Sequence, residues 1–200
     1  MDLPDPLQKM VDSLTRLPSL GPRTAERLAL FLVNDLSGVR QSLEKALVGL
    51  DKVKTCEECF NLTTDNICVV CKDRGREGAS LCVVEKVTDL LAIEKTGQYK
   101  GRYFVLGGVI DPLNGLGPEE LRVPRLLEKI KKDKVREVLL AVNPTIEGEA
   151  TVIYLKKEVE KVLEGKVKMS RLGRGIPTGG DLAFADMSTL LRSLENREEI

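Results

Sequence analysis

Apolar positions follow one period at the start of the chain and a mixture of two periods later. Leu7, Met10, Val11, Leu14 and Leu17 recur at helical spacing, as do Ala25, Leu28, Ala29, Leu32 and Leu36. Between them lies Leu17-Pro18-Ser19-Leu20-Gly21-Pro22, so the pattern predicts two amphipathic helices joined by a tight apolar turn. Gly21 is expected to take a backbone conformation closed to other residues, and Pro22 suits the first position of the second helix. Val39, Leu43, Ala46, Leu47 and Leu50 predict a third helix. From Ser80 onward apolar runs alternate with amphipathic stretches. Strands are expected over Leu81 to Val84, Tyr103 to Leu106, Val135 to Val142 and Val167 to Met169, with helices near Val87 to Glu94, Pro118 to Lys132 and Ala150 to Leu163. Such alternation predicts a mainly parallel sheet with helices on both faces.

Two hundred residues, 42% of them hydrophobic, can bury one large core or two small ones. Thirty-one basic and thirty-one acidic side chains cancel, so any contact with nucleic acid must be local or multiplied by self-assembly. The first residues lack the basic and apolar regions of a signal peptide, and no run reaches membrane-spanning length, which predicts a cytoplasmic protein without a membrane partner. There is no histidine in the chain, so histidine acid-base chemistry and histidine metal ligands are excluded.

Between the helical and the alternating regions stand Cys56-Glu57-Glu58-Cys59 and Cys68-Val69-Val70-Cys71. Two C-x2-C turns separated by eight residues can close a tetrahedral thiolate shell around Zn2+. A redox C-x-x-C is usually single and opens a helix, whereas this one is duplicated among polar turn residues. Cys82 lies in the apolar run Leu81 to Val84 and reads as a buried hydrophobe, not a ligand.

The paired N-terminal helices have the layout of a helix-hairpin-helix, in which hairpin amides and the positive end of the second helix face a phosphate. Gly21, Arg23, Arg27 and Arg16 are the candidate DNA-binding residues; an ordinary helical hairpin with solvated arginines is the plainer reading. In the later region, Glu85 after the first strand has the placing of a Toprim glutamate, which in topoisomerases and primases helps hold magnesium at a phosphodiester. Where an Asp-x-Asp pair would complete that site, the chain reads Asn143-Pro144-Thr145. Glu147 and Glu149 follow, at the loop end and helix start, where the helix dipole favours acids. The pattern argues against a catalytic metal site. A Toprim nuclease or primase-like enzyme, and a zinc-stabilised scaffold that binds only proteins, are the rival readings.

Taken in order, Leu17 to Leu28, the four cysteines, Leu81 to Glu85, Gly115 to Leu121, Asn143 to Thr151 and Arg171 to Leu182 resemble the RecR family of bacterial recombination mediators over essentially the whole chain. Ser19 departs from the expected hairpin glycine, and Val109 stands where many relatives carry histidine. The resemblance implies an α/β protein with an N-terminal helix-hairpin-helix (1–53), a small four-cysteine zinc finger (54–76), a Toprim domain (77–170) and a short Walker B-like or oligomerisation segment (171–200). It implies a noncatalytic, nucleoid-associated protein that binds gapped, single- and double-stranded DNA, assembles into dimeric or tetrameric rings, and works with RecO and RecF to load RecA on DNA coated by single-strand-binding protein. Glu85, Glu147 and Glu149 are then the candidate partner-binding residues. The C-terminal segment carries Asp181, but no Walker A sequence occurs, which argues against ATP hydrolysis.

Overall fold

The computed structural model describes residues 3–163 and 167–197; the outermost ends of the expected 1–53 and 171–200 segments lie outside these. The chain divides into two compact units, residues 1–53 and 54–200.

In the first unit, α1 (Asp5–Thr15), α2 (Pro22–Val33) and α3 (Val39–Gly49) follow the predicted periodicity. Ala25 and Ala29, one turn apart on α2, are fully buried against Val11, with Leu7, Met10 and Leu14 packed around them. Two alanines on one face let the helices approach closely. Leu36 does not belong to α2, which ends at Val33; the loop beyond it is held by Asp35, whose carboxylate accepts from the backbone of Ser37 and Arg40. The left-handed backbone of the α1–α2 turn is at Ser19 (φ 68°), not at Gly21, which is extended (φ −79°, ψ 164°) and caps α2.

The second unit opens with a two-stranded ribbon, β1 (Lys54–Thr55) with β2 (Leu62–Thr63), and the one-turn helix α4 (Val69–Lys72), which together carry the cysteines. Then come β3 (Glu77–Val84), α5 (Val87–Glu94), β4 (Gly101–Val105), α6 (Val123–Lys132), β5 (Glu137–Ala141), α7 (Ile146–Leu163), β6 (Lys168–Arg171) and α8 (Met187–Glu195). The four longer strands form a parallel sheet in the order β4-β3-β5-β6. Helix α6 starts five residues later than the apolar pattern suggests, because Pro124 lacks an N–H and fits only a first turn; Pro118 to Arg122 form turns instead. Helix α7 starts four residues earlier, at Ile146.

Alternation along the strands fills two cores. Leu81, Val83, Phe104, Leu106, Val138 and Leu140 pack under α6 and α7, while Cys82, Val84, Tyr103 and Val105 pack under α5 and against the four cysteines. The cysteine module therefore helps to cover the second face of the sheet. It also reaches round the outer strand: Val105 N–H donates to the Cys59 carbonyl at 2.8 Å, and the Phe60 ring meets Phe104 edge-on at 5.4 Å.

Candidate metal centre and nucleic-acid interface

The Sγ atoms of Cys56, Cys59, Cys68 and Cys71 all lie within 4.8 Å of one another, and all four residues are buried. Cys59 Sγ and Cys68 Sγ are 3.5 Å apart, too far for a disulfide and close to the separation of about 3.8 Å that four Zn–S bonds of about 2.3 Å impose on a tetrahedron. Local backbone chemistry makes this nest. The first turn closes through Phe60 N–H to the Cys56 carbonyl at 2.9 Å, and Cys56 N–H donates to the Asn61 carbonyl at 2.7 Å. The second half is aimed at the first by Cys68 N–H, which donates to Cys56 Sγ at 3.3 Å. Hydrogen bonds from Cys59 and Cys71 hold the Cys68 thiol far below its ordinary pKa, whereas Cys59 is pushed far above, first through its hydrogen bond to Cys68. Thiols packed this closely repel one another once ionised, and a bound dication neutralises that charge. The donor set fits zinc. Cys82 sits in the same core outside the cluster, its thiol pushed up to about 12 by burial.

The turn around the first pair is under backbone strain: Phe60 has φ 62°, a left-handed conformation unusual for a bulky residue. Its ring is clamped between Phe104 and the Arg122 guanidinium, whose carbon lies 4.5 Å from the ring centroid, while Arg122 Nη1 donates to the Val105 carbonyl at 3.1 Å. Arg122 carries no motif, and only the fold brings it beneath the cysteine module.

Arg16, Arg23 and Arg27 are exposed around the α1–α2 turn, Arg23 and Arg27 one turn apart on α2. Among the described residues none of the three forms an ion pair. Gly21 caps α2 without a side-chain bond, and a Cβ placed there would meet nothing within 4 Å, so the first turn of α2 stands open.

In the sheet, connections reverse direction between β3 and β5, and ligands of open α/β sheets bind at the strand ends beside such a switch point. Glu85 and Asn143 follow those two strands. Glu85 is buried, and its carboxylate accepts a hydrogen bond from the backbone N–H of Asn143. It faces inward, so the sequence expectation of an exposed partner-binding carboxylate meets a residue that is 6% exposed. Thr145 caps α7, its Oγ1 accepting from Gly148 N–H at 3.1 Å, and a Cβ on Gly148 would lie 2.0 Å from the Asn143 carbonyl oxygen. Asn143-Pro144-Thr145 thus forms a capping turn that needs glycine three residues on. Thr151, fully buried, donates to the Glu147 carbonyl and accepts from Ile110 N–H, tying the loop after β4 to α7.

Glu147 and Glu149 both lie in the first turn of α7. Glu149 is ion-paired with Arg174 and with Arg171, and the hydrogen bond from Arg174 is the main cause of a pKa held below the ordinary carboxylate value. Among the described residues Glu147 has no ion pair. A cavity of about 300 Å³ beside this turn is lined by Asp89, Asn143, Pro144, Val152, Arg171 and Arg174 among others.

The chain matches four known families in succession: the RecR helix-hairpin-helix over residues 7–50, the RecR four-cysteine zinc finger over 53–73, the Toprim domain over 79–173 and the RecR C-terminal region over 175–198. It is 46% identical over 196 residues to the recombination protein RecR of Gloeobacter violaceus, 98% of each chain being covered. The RecR proteins of Rippkaea orientalis and Heliobacterium modesticaldum are 43% and 42% identical, again over 98% of both chains. The chain belongs to the RecR family. The RecR zinc-finger match and the clustered thiolates together make the tetracysteine nest a zinc site. The RecR hairpin match runs from within α1 to the end of α3, and the Toprim match from within β3 to beyond β6. Among the described residues no helix is long and apolar enough to cross a membrane.

Proposed function

We propose that this chain is a DNA-binding recombination mediator that makes and breaks no bonds itself, acting as an oligomeric clamp with RecO and RecF to promote loading of RecA on gapped DNA coated by single-strand-binding protein. One observation carries the reading: at the switch point, where a Toprim enzyme needs converging carboxylates for magnesium, Glu85 is buried against the Asn143 backbone and its neighbours are neutral capping residues. The expected segments 1–53, 54–76, 77–170 and 171–200 divide the work into DNA contact, zinc-dependent bracing, partner docking and self-assembly.

For DNA, the exposed Arg16, Arg23 and Arg27 beside the open start of α2 supply charge and N–H donors of a kind that suits phosphates without reading bases. For a basic partner, Glu147 is the freer carboxylate, while Glu149 must first be released from Arg171 and Arg174. For self-assembly, exposed apolar side chains on α2 and α3 (Phe31, Val33, Leu47, Val48) and on α8 (Met187, Leu191, Leu194) favour contacts through both terminal regions.

Fluorescence anisotropy on a labelled gapped duplex tests the DNA reading. Arg23→Glu and Arg27→Glu are expected to weaken binding in a salt-dependent way without unfolding the protein, and unchanged affinity in both removes the hairpin from the mechanism. Magnesium-dependent cleavage of the same DNA, abolished by Glu85→Gln, would replace a mediator by an enzyme.

A further inference from the structure

We propose that Lys129 of α6 is the buried cation that governs how firmly the tetracysteine site retains zinc, making metal retention depend on the sheet domain as well as on the four ligands. Four thiolates around one Zn2+ leave a net charge of minus two inside a shell of buried side chains, and such charge is costly unless a cation or hydrogen-bond donors lie close by. The Cys68 N–H donor is one device. Lys129 has the position to be the other. Its side chain is 7% exposed, an unusual depth for lysine, on the helix face that also buries Val123, Leu126 and Ile130.

The Lys129 ammonium faces the cysteine module. It lies 3.7 Å from the carboxylate of Glu58, which is the residue before Cys59, and 2.8 Å from Asp133 one turn along α6. Burial on its own lowers the pKa of this lysine, and the hydrogen bond to Asp133, with Glu58 nearby, more than restores it, so the ammonium stays charged where it faces the module. Asp133 alone would neutralise Lys129, yet Asp133 also has Arg102 at 3.8 Å, which leaves positive charge on Lys129 available to the anionic side of the module. Lys132 approaches the same Glu58 at 3.8 Å, but its side chain is 75% exposed and water screens it. The pair of lysines therefore forms an internal control: the same carboxylate is met by one buried and one solvated ammonium.

The test uses the full-length zinc-loaded protein, challenged with an excess of a chromophoric chelator, with thermal unfolding recorded on the same preparations. Lys129→Met is expected to release zinc about tenfold faster or more, the size typical of changes behind the metal ligands. Lys132→Met should stay within about twofold of the parent, and Lys129→Arg, which keeps the charge, should lie between them. The double variant Lys129→Met with Asp133→Asn removes the ion pair as a unit and leaves no orphan carboxylate, so it also serves if the single variant folds poorly. Fast release in the double variant supports direct action on the zinc site. Parent-like release in either Lys129→Met variant, or equal acceleration by Lys132→Met, overturns the proposal.

Discussion

Two residues with left-handed backbone, Ser19 and Phe60, show how much a single position can carry. At Ser19 the hairpin demands a conformation that costs an L-residue about 1 kcal/mol, and among the described residues its exposed side chain makes no hydrogen bond that offsets it. Ser19→Gly should therefore stabilise the protein by a few tenths to about 1 kcal/mol, part of the gain being offset by glycine's greater freedom when unfolded. A rise in the urea midpoint with an unchanged slope is the expected reading, and a fall would mean that the hydroxyl has a role. The apolar pattern announced the turn but assigned its special backbone to Gly21, since glycine is the residue one looks for; the chain places it at Ser19 instead. At Phe60 the same strain is held by aromatic packing and by Arg122. Nothing in local sequence marks Arg122, because its role depends on a contact with a residue far back along the chain.

Among elements, the short turn from Asn143 to Gly148 decides what the switch point can do. Its residues were legible as a departure from a metal-binding pattern, and the structure supplies the reason they hold together: a capping threonine and a glycine pressed against a carbonyl. Gly148→Ala forces the start of α7 away from Asn143 and should cost about 1–3 kcal/mol, measurable by denaturant unfolding. Strand and helix types were readable from periodicity, whereas the ends of α6 and α7 were set by Pro124 and Thr145, which act on backbone donors and not on the apolar pattern. The zinc element was the plainest chemistry in the sequence, yet its spacing reveals only a metal site. Its place as a cover on the sheet comes from Cys59 to Val105 and Phe60 to Phe104, pairs widely separated along the chain. Cys59→Ser should accordingly lower the stability of the sheet domain itself, on the order of several kcal/mol given the roughly 10 kcal/mol that structural zinc contributes. Circular dichroism and metal analysis on the same sample would check this; an intact thermal transition in zinc-free protein would contradict it.

For the whole molecule, a net charge of zero means that one copy cannot hold DNA by bulk attraction. Three arginines on each copy become effective when several copies share one duplex, because the second contact forms at the high local concentration set by the first. Binding should therefore be steep in protein concentration, and light scattering with and without gapped DNA should find the DNA-bound species larger than a monomer. For Arg23→Glu, the logarithmic salt dependence should become shallower by about one unit for each phosphate no longer engaged. A monomer that binds gapped DNA with full affinity would contradict the clamp.

The bond from Val105 to Cys59 has one more consequence. Strand β4 is the outermost member of its sheet, and an unprotected outer strand is a template on which any extended chain can add. The cysteine module covers that rim at Val105. A copy that loses its metal is expected to bare that edge, and with it a surface on which a neighbour can pair.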